Sequence, residues 1–549
     1  MQIGIMKHFG QYTAFLAAAI LLAGTSDAAA QSRNFLLGKW TETHAAILKE
    51  LSESYVDSLP VDKIERRGID AMLAGLDPYT VFIPAEENED LQMMIQKAYG
   101  GIGAVIYKPD VNGNVIINEP YKGSPAEKYG LQCCDEILAI DGESVKGLTS
   151  QQCSDKMRGE PGTSVLFSVK KIRTRDTVDV RVVREKIRIP DIEFAGMLDD
   201  TTGYILQTGF TEGVGKELRA EVNGLLDKGM KTLVLDLRGN GGGLLDEAAQ
   251  IVSIFLPKNS VVVTTKGKEK SSNYTVTTRE DPVDPSLEVI VLVDSGSASA
   301  SEIIAGALQD TDRATIMGQR TFGKGLVQSI RNLPYGGELK LTTAKYYTPS
   351  GRCVQAIDYS RRNEDGSVGH IPDSLTREFK TAHGRTVRDG GGITPDVKLD
   401  EKEYSRLTYA LVAYGVIEEY VLDYVRRHDS IAPAGEFHFS DADWEDFVSF
   451  AKEKEFDYRS TAKALFDSMK EELDKDGLSE GIAAQLDTLE NAINIEKEDF
   501  LRLKKDEIIP FIEEEIVVRY YFQEAGIGIR LRYDDALRQA LRSERIPKY

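Results

Sequence analysis

Histidine is scarce in this 549-residue chain, with six in all and none between His44 and His370. The central region therefore has no local imidazole for a Ser-His-Asp arrangement, which leaves some other group to activate a nucleophile there. Four cysteines include no CxxC pair, the chain has no HExxH, and His44, His370, His383, His428 and His438 are scattered, so neither a metal site nor a cofactor is expected. Cys133 and Cys134 are adjacent, Cys153 follows about twenty residues later and Cys353 is remote, a spacing that chooses among neither the three full pairings nor free thiols. Positive charge is in deficit: 67 Lys and Arg face 88 Asp and Glu, a net charge of −21. That balance disfavours a general nucleic-acid binder, which needs clustered cations to displace counterions, and points towards protein or peptide substrates. Long apolar runs are missing too. The run from Ala14 to Ala23 falls well short of the ~20 residues that span a bilayer. With Lys7 ahead of it and Ala28-Ala29-Ala30 behind it, the run reads as a secretory signal peptide over residues 1–30, with no cysteine placed for lipid anchoring. The expectation is a soluble, exported, periplasmic protein.

What is present suggests about three or four domains at ~100–200 residues each. Residues 31–97 read as a helical region, broken by "LDPYTVFIP". Residues 98–190 change to short glycine-punctuated strands, "GGIGAVIYK", "GNVIINEP", "DEILAIDG" and "SVLFSVKKI", with capped short helices at "SPAEKYGL" and "TSQQCSDKMRG". Over 191–400 strand alternates with helix, which implies crossover units on a largely parallel sheet. Residues 401–549 are charged and helix-rich, suited to packing on the preceding domain or on a second copy, and equally to a solvated surface. No repeat or low-complexity tract is found.

The chemistry concentrates in "VDSGSASASEIIAGALQD", where Ser297, Ser299 and Ser301 fall at the join of a strand and a helix. Free N–H groups at a helix N-terminus favour developing negative charge. Ser299 and Glu302 also make a capping box, which alone would explain both. Lys324, in "QRTFGKGLVQS", is flanked by small and apolar residues; burial would lower its pKa and let it take a serine proton. The same stretch fits the phosphate-loop pattern GxxxxGK, except that Gly325 stands where Ser or Thr belongs and a strand follows where a helix should. Ser460-Thr-Ala-Lys463 is an SxxK motif, but it lies in a charged helical stretch without a KTG companion. In "LDLRGNGGGLLDEAAQ", Leu244 spoils a GxGxxG fingerprint, and the glycine turn can instead aim N–H groups at a substrate oxygen.

"GSASASEIIAGALQD", "TFGKGLVQS" and "LDLRGNGGG" together resemble the carboxyl-terminal processing, or tail-specific, proteases of serine peptidase family S41. The resemblance runs over roughly residues 40–400. It implies a multidomain fold with a crotonase/ClpP-like α/β catalytic core, a small β-rich PDZ domain at 98–190 and helical terminal regions. It implies Ser299 as nucleophile, Lys324 as general base and Gln328 as the residue orienting the lysine. An oxyanion hole would combine the Ala300 amide with one from Gly241 or Gly242. "YGGIGA" matches the PDZ carboxylate-binding loop, with Gly101, Ile102 and Gly103 as peptide-binding candidates for apolar substrate C-termini. An activating adaptor or lipoprotein and homo-oligomers through the helical regions are further implied partners. Two departures stand out: Cys133-Cys134 replaces the usual Pro-Gly, and Ala356–Arg388 lengthens a connection as a surface insertion or a lid. A non-catalytic PDZ scaffold is the alternative, and a coenzyme A hydratase or isomerase on the same core has no sequence feature in its favour.

Overall fold

The computed structural model describes residues 32–87, 97–108, 111–363, 367–400 and 402–545. The signal-peptide reading of residues 1–30 lies outside them. The chain divides into two compact units, 1–75 and 76–549. The first holds helices Arg33–Ser54 and Val61–Ala74.

In the second unit a six-stranded sheet runs in the order Ile192–Met197, Thr202–Gln207, Thr232–Asp236, Glu288–Val293, Thr315–Gly318, Val397–Lys398. All neighbours pair in parallel except the antiparallel edge strand Ile192–Met197. The near-continuous apolar runs have a simple cause, since alternate side chains point to opposite faces and both faces are covered. Ile205, Leu233, Leu235, Val291 and Ile316 pack under helices Val214–Asp227, Leu245–Val252 and Ala300–Asp310. Tyr204, Val234, Ile290, Leu292 and Met317 face Ile527, Leu537 and Ala540 near the C-terminus. Each such Leu, Ile or Val contributes ~1.5–3 kcal/mol by leaving water. A second, five-stranded antiparallel sheet includes Val81–Ile83 from the "LDPYTVFIP" break, paired with Glu338–Tyr347, which also pairs with Leu326–Asn332.

Residues 98–190 form a small β-rich module whose strand Ala104–Tyr107 lies at a sheet edge. Its two short helices start at the caps read from sequence, Ser124 and Thr149. Cys134 adopts φ +67°, the left-handed conformation that a turn glycine would take without strain. Its sulfur lies 3.5 Å from that of Cys133, and all four cysteines are free thiols.

From Arg406 the chain is helical, around a core that includes Tyr420, Trp444 and Phe447. From Ala483 the helices are Ala483–Ile493, Lys497–Leu503 and Lys505–Arg532. The last of these is interrupted at Phe522, and the next free N–H, that of Gln523, donates to Glu119 of the β-rich module at 2.9 Å. The insertion Ala356–Arg388 folds as short hairpins, and its Arg385 pairs with Asp312 and Asp396. Among the described residues no helix is long and apolar enough to cross a membrane.

Candidate active site

The three serines are not equivalent. Ser297 is fully buried and donates to the carbonyl of Leu237 at 2.7 Å; Ser301 is fully buried and donates to that of Asn240 at 2.9 Å. Both stitch the serine loop to the glycine turn after Thr232–Asp236. Asp294 strengthens the join, taking N–H bonds from Gly239, Gly296 and Ser297. Ser299 alone is partly open to solvent. Its backbone sits at φ +55°, ψ −110°, a conformation that costs a non-glycine residue ~1–3 kcal/mol and persists only where the surroundings hold it. The helix that follows, Ala300–Asp310, is buried along its whole length, and its small residues allow this: a Cβ on Gly306 would meet Thr348 at 2.7 Å.

Glu302 holds the conformation. One carboxylate oxygen accepts the N–H of Ser299 at 2.9 Å and that of Lys324 at 2.8 Å. The other accepts the Thr321 hydroxyl at 2.6 Å and the Gly323 N–H at 2.8 Å. Burial pushes the Glu302 pKa up, against the pull of these four donors. A single side chain thus fixes the backbone of both residues singled out for chemistry. Capping-box spacing reveals only its Ser299 half, because nothing in the spacing links Glu302 to residues 321–324.

Lys324 is half-buried, and its pKa lies below the ordinary lysine value because burial, and next the Lys340 ammonium, disfavour its charge against the opposing Glu302 and Asp77. Among the described residues it makes no ion pair with a carboxylate and no hydrogen bond to Ser299. Its Nζ lies 4.5 Å from the centre of the Tyr79 ring. Among the described residues Gln328 makes no hydrogen bond to it; the Gln328 amide donates to Thr342 Oγ1 at 3.3 Å, and Thr342 donates to Asp77 at 3.2 Å. Tyr79 and Asp77 were not singled out from sequence, although the break "LDPYTVFIP" that carries them was.

The glycine turn abuts Ser299. Gly242 has φ +97°, and a Cβ there would fall 2.7 Å from Ala298 O and 2.8 Å from Ser299 Cβ, so only glycine closes this approach. The Gly242 N–H donates to Asn240 Oδ1 at 2.9 Å. The N–H groups of Gly241 and Ala300 have no acceptor among the described residues. Arg238, at the base of the turn, bridges Asp236 at 2.5 Å and Asp534 at 2.6 Å. A cavity of about 660 Å³ lies on the side of Arg238 and Gly239 that faces the C-terminal helices, and neither Ser299 nor Lys324 lines it.

In the β-rich module, Gly101 ends strand Ala98–Gly101, and Ile102 and Gly103 lead from it into edge strand Ala104–Tyr107. Gly103 has φ +72° and no room for a Cβ, which would meet Ser124 Cβ at 2.6 Å. Ile102 lines a groove of about 150 Å³ with Tyr99, Ala104, Ile106, Met157 and Arg158. Arg158 stacks 5.1 Å over the Tyr99 ring, and burial pushes the Tyr99 hydroxyl up to about 12.

The chain is similar to known proteins. The profile of peptidase family S41 matches residues 201–360, that of a PDZ domain 116–171, and that of the C-terminal helical domain of probable PDZ-proteases 407–543. A carboxy-terminal-processing protease of Bartonella bacilliformis is 33% identical over 62% of this chain and 78% of its own. A probable CtpA-like serine protease of Staphylococcus aureus is 32% identical over 66% of this chain and 65% of its own. A solved photosystem II D1 C-terminal processing protease aligns at 25% identity over 68% of this chain and 90% of its own, with a TM-score of 0.36. A serine poised on a glycine turn, a half-buried lysine and a PDZ module thus sit in a chain that belongs to the carboxy-terminal-processing serine proteases of peptidase family S41.

Proposed function

We propose that the protein is an exported endopeptidase in which Ser299 attacks the scissile carbonyl and Lys324 is the general base. The observation that carries this reading is the shared anchor: Glu302 ties the backbones of Ser299 and Lys324 to one oxygen, and of the three serines only Ser299 is open to substrate. For catalysis the Lys324 side chain swings from Tyr79 to Ser299, takes the hydroxyl proton as a neutral amine and later returns it to the leaving amine. Water then frees the acyl group. The oxyanion finds the Ala300 N–H at the helix N-terminus and an N–H of the glycine turn; Gly241 suits this better than Gly242, whose N–H is already engaged by Asn240. Gln328 acts on the lysine at one remove, through Thr342 and Asp77.

An extended substrate tail adds as a strand beside Ala104–Tyr107. The amides of Gly101, Ile102 and Gly103 take its terminal carboxylate, and the apolar groove takes its last side chain. Export follows from the leader read in residues 1–30.

The test incubates purified protein and Ser299→Ala with an unfolded protein ending in a free apolar tail, and follows fragments by mass spectrometry. Cleavage by the wild type alone is expected. Tail binding without cleavage by either would favour a scaffold. Because the base works as the neutral amine, cleavage should decline as pH falls through the Lys324 pKa. A rate unchanged on the acidic side would contradict the dyad.

A further inference from the structure

Lys324 meets an aromatic face where a serine partner would be expected. Its ammonium lies 4.5 Å from the Tyr79 ring centre. That ring is half-buried and fixed from two sides. Tyr359, from the insertion, meets it edge-on with ring centres 6.1 Å apart. On the other side, Asp77 accepts the Tyr79 N–H at 2.9 Å and the Thr80 N–H at 2.8 Å, and Thr80 Oγ1 accepts the Thr342 N–H at 3.2 Å. Gln328 joins the same network through Thr342 Oγ1.

We propose that Tyr79 is a positioning residue for the general base: its ring holds the charged Lys324 side chain away from Ser299 at rest and releases it on deprotonation. The physical basis is selective. A ring face attracts an ammonium through its quadrupole and has no such hold on a neutral amine. Loss of the proton therefore both makes Lys324 a base and frees it to turn towards Ser299. The other groups facing Lys324 are Glu302 from the serine helix, Asp77 from the turn and Lys340 from the neighbouring strand. Tyr79 adds to the first two in favouring the charged form, and Lys340 opposes it. The insertion thereby gains a role, because it supplies the ring that keeps Tyr79 in place.

This inference rests on Lys324 being the base, so Lys324→Ala is measured alongside. The readout is the pH dependence of kcat/KM for cleavage of an unfolded protein. Removing the ring lowers the Lys324 pKa, so the acidic limb of Tyr79→Leu should move to lower pH by about one unit. Tyr79→Phe keeps the ring and should retain the wild-type limb. Tyr359→Leu, which only loosens the ring, should shift the limb the same way by less, and it stands in if Tyr79→Leu does not fold. Limbs of Tyr79→Leu and Tyr359→Leu that coincide with wild type would overturn the proposal, as would a Tyr79→Phe limb displaced as far as that of the leucine variant. An active Lys324→Ala enzyme would instead remove the dyad itself, and this inference with it.

Discussion

Ser299 and Ser460 each cap a helix with a lysine nearby, and only Ser299 has the makings of a catalytic centre. Ser460 caps helix Thr461–Lys475 from an ordinary extended conformation, φ −65°, ψ 157°, and accepts the Lys463 N–H at 3.1 Å. The Lys463 ammonium is bonded to Asp467 and, at 3.2 Å, to Glu490, partners that raise its pKa. Ser299 caps its helix from a left-handed backbone, and Lys324 is desolvated without a carboxylate bonded to its ammonium. In both places a carboxylate is close to the lysine. At 463 it bonds the ammonium and holds it charged; at 324 Glu302 bonds the backbone and acts on the ammonium only from a distance, less than burial does. The same residue types thus make a cap or a candidate dyad according to which atom the acid reaches.

Breaking each side of this contrast should give graded effects. Lys324→Ala should lower kcat by roughly four to six orders of magnitude, whereas Lys463→Ala should leave turnover of an unfolded protein at the wild-type level; equal losses would erase the distinction. Glu302→Ala removes one acceptor shared by four donors, and should cost about 3 kcal/mol of stability and about a hundredfold in kcat. Chemical denaturation alongside single-turnover kinetics separates the two. Gly242→Ala forces a Cβ into the space beside Ser299 and should reduce kcat by roughly thirtyfold, somewhat under the loss expected for a misplacement of about 1 Å. An unaltered kcat would mean that the turn tolerates a shift. Amidating the C-terminus of a peptide substrate should lower kcat/KM by about tenfold, mainly through KM, if the PDZ loop holds the carboxylate. Ser460→Ala sits at the bottom of the series: about 1 kcal/mol of helix stability and no change in turnover.

Much of this was legible in the chain. Alternating apolar strands and helices over 191–400 specify the parallel sheet, because burial on both faces demands near-continuous Val, Ile and Leu. The caps at Ser124 and Thr149 were readable because capping is local. Residues Ser299 and Lys324 could be chosen from their flanking small residues together with the family resemblance. What escaped the sequence was long-range. The reach of Glu302 to Lys324, the ring of Tyr79 under the lysine and the Gln328–Thr342–Asp77 chain each join segments whose proximity no spacing rule encodes. The bond from the Gln523 N–H to Glu119, some 400 residues earlier, is hidden from sequence in the same way.

The bridge from Arg238 to Asp534 spans 296 residues of chain. Contacts between such distant segments form late, because the intervening loop must first be closed. The turn beside Ser299 therefore receives its final restraint only once the last helices have docked. In a chain cut short before residue 534 that restraint is missing.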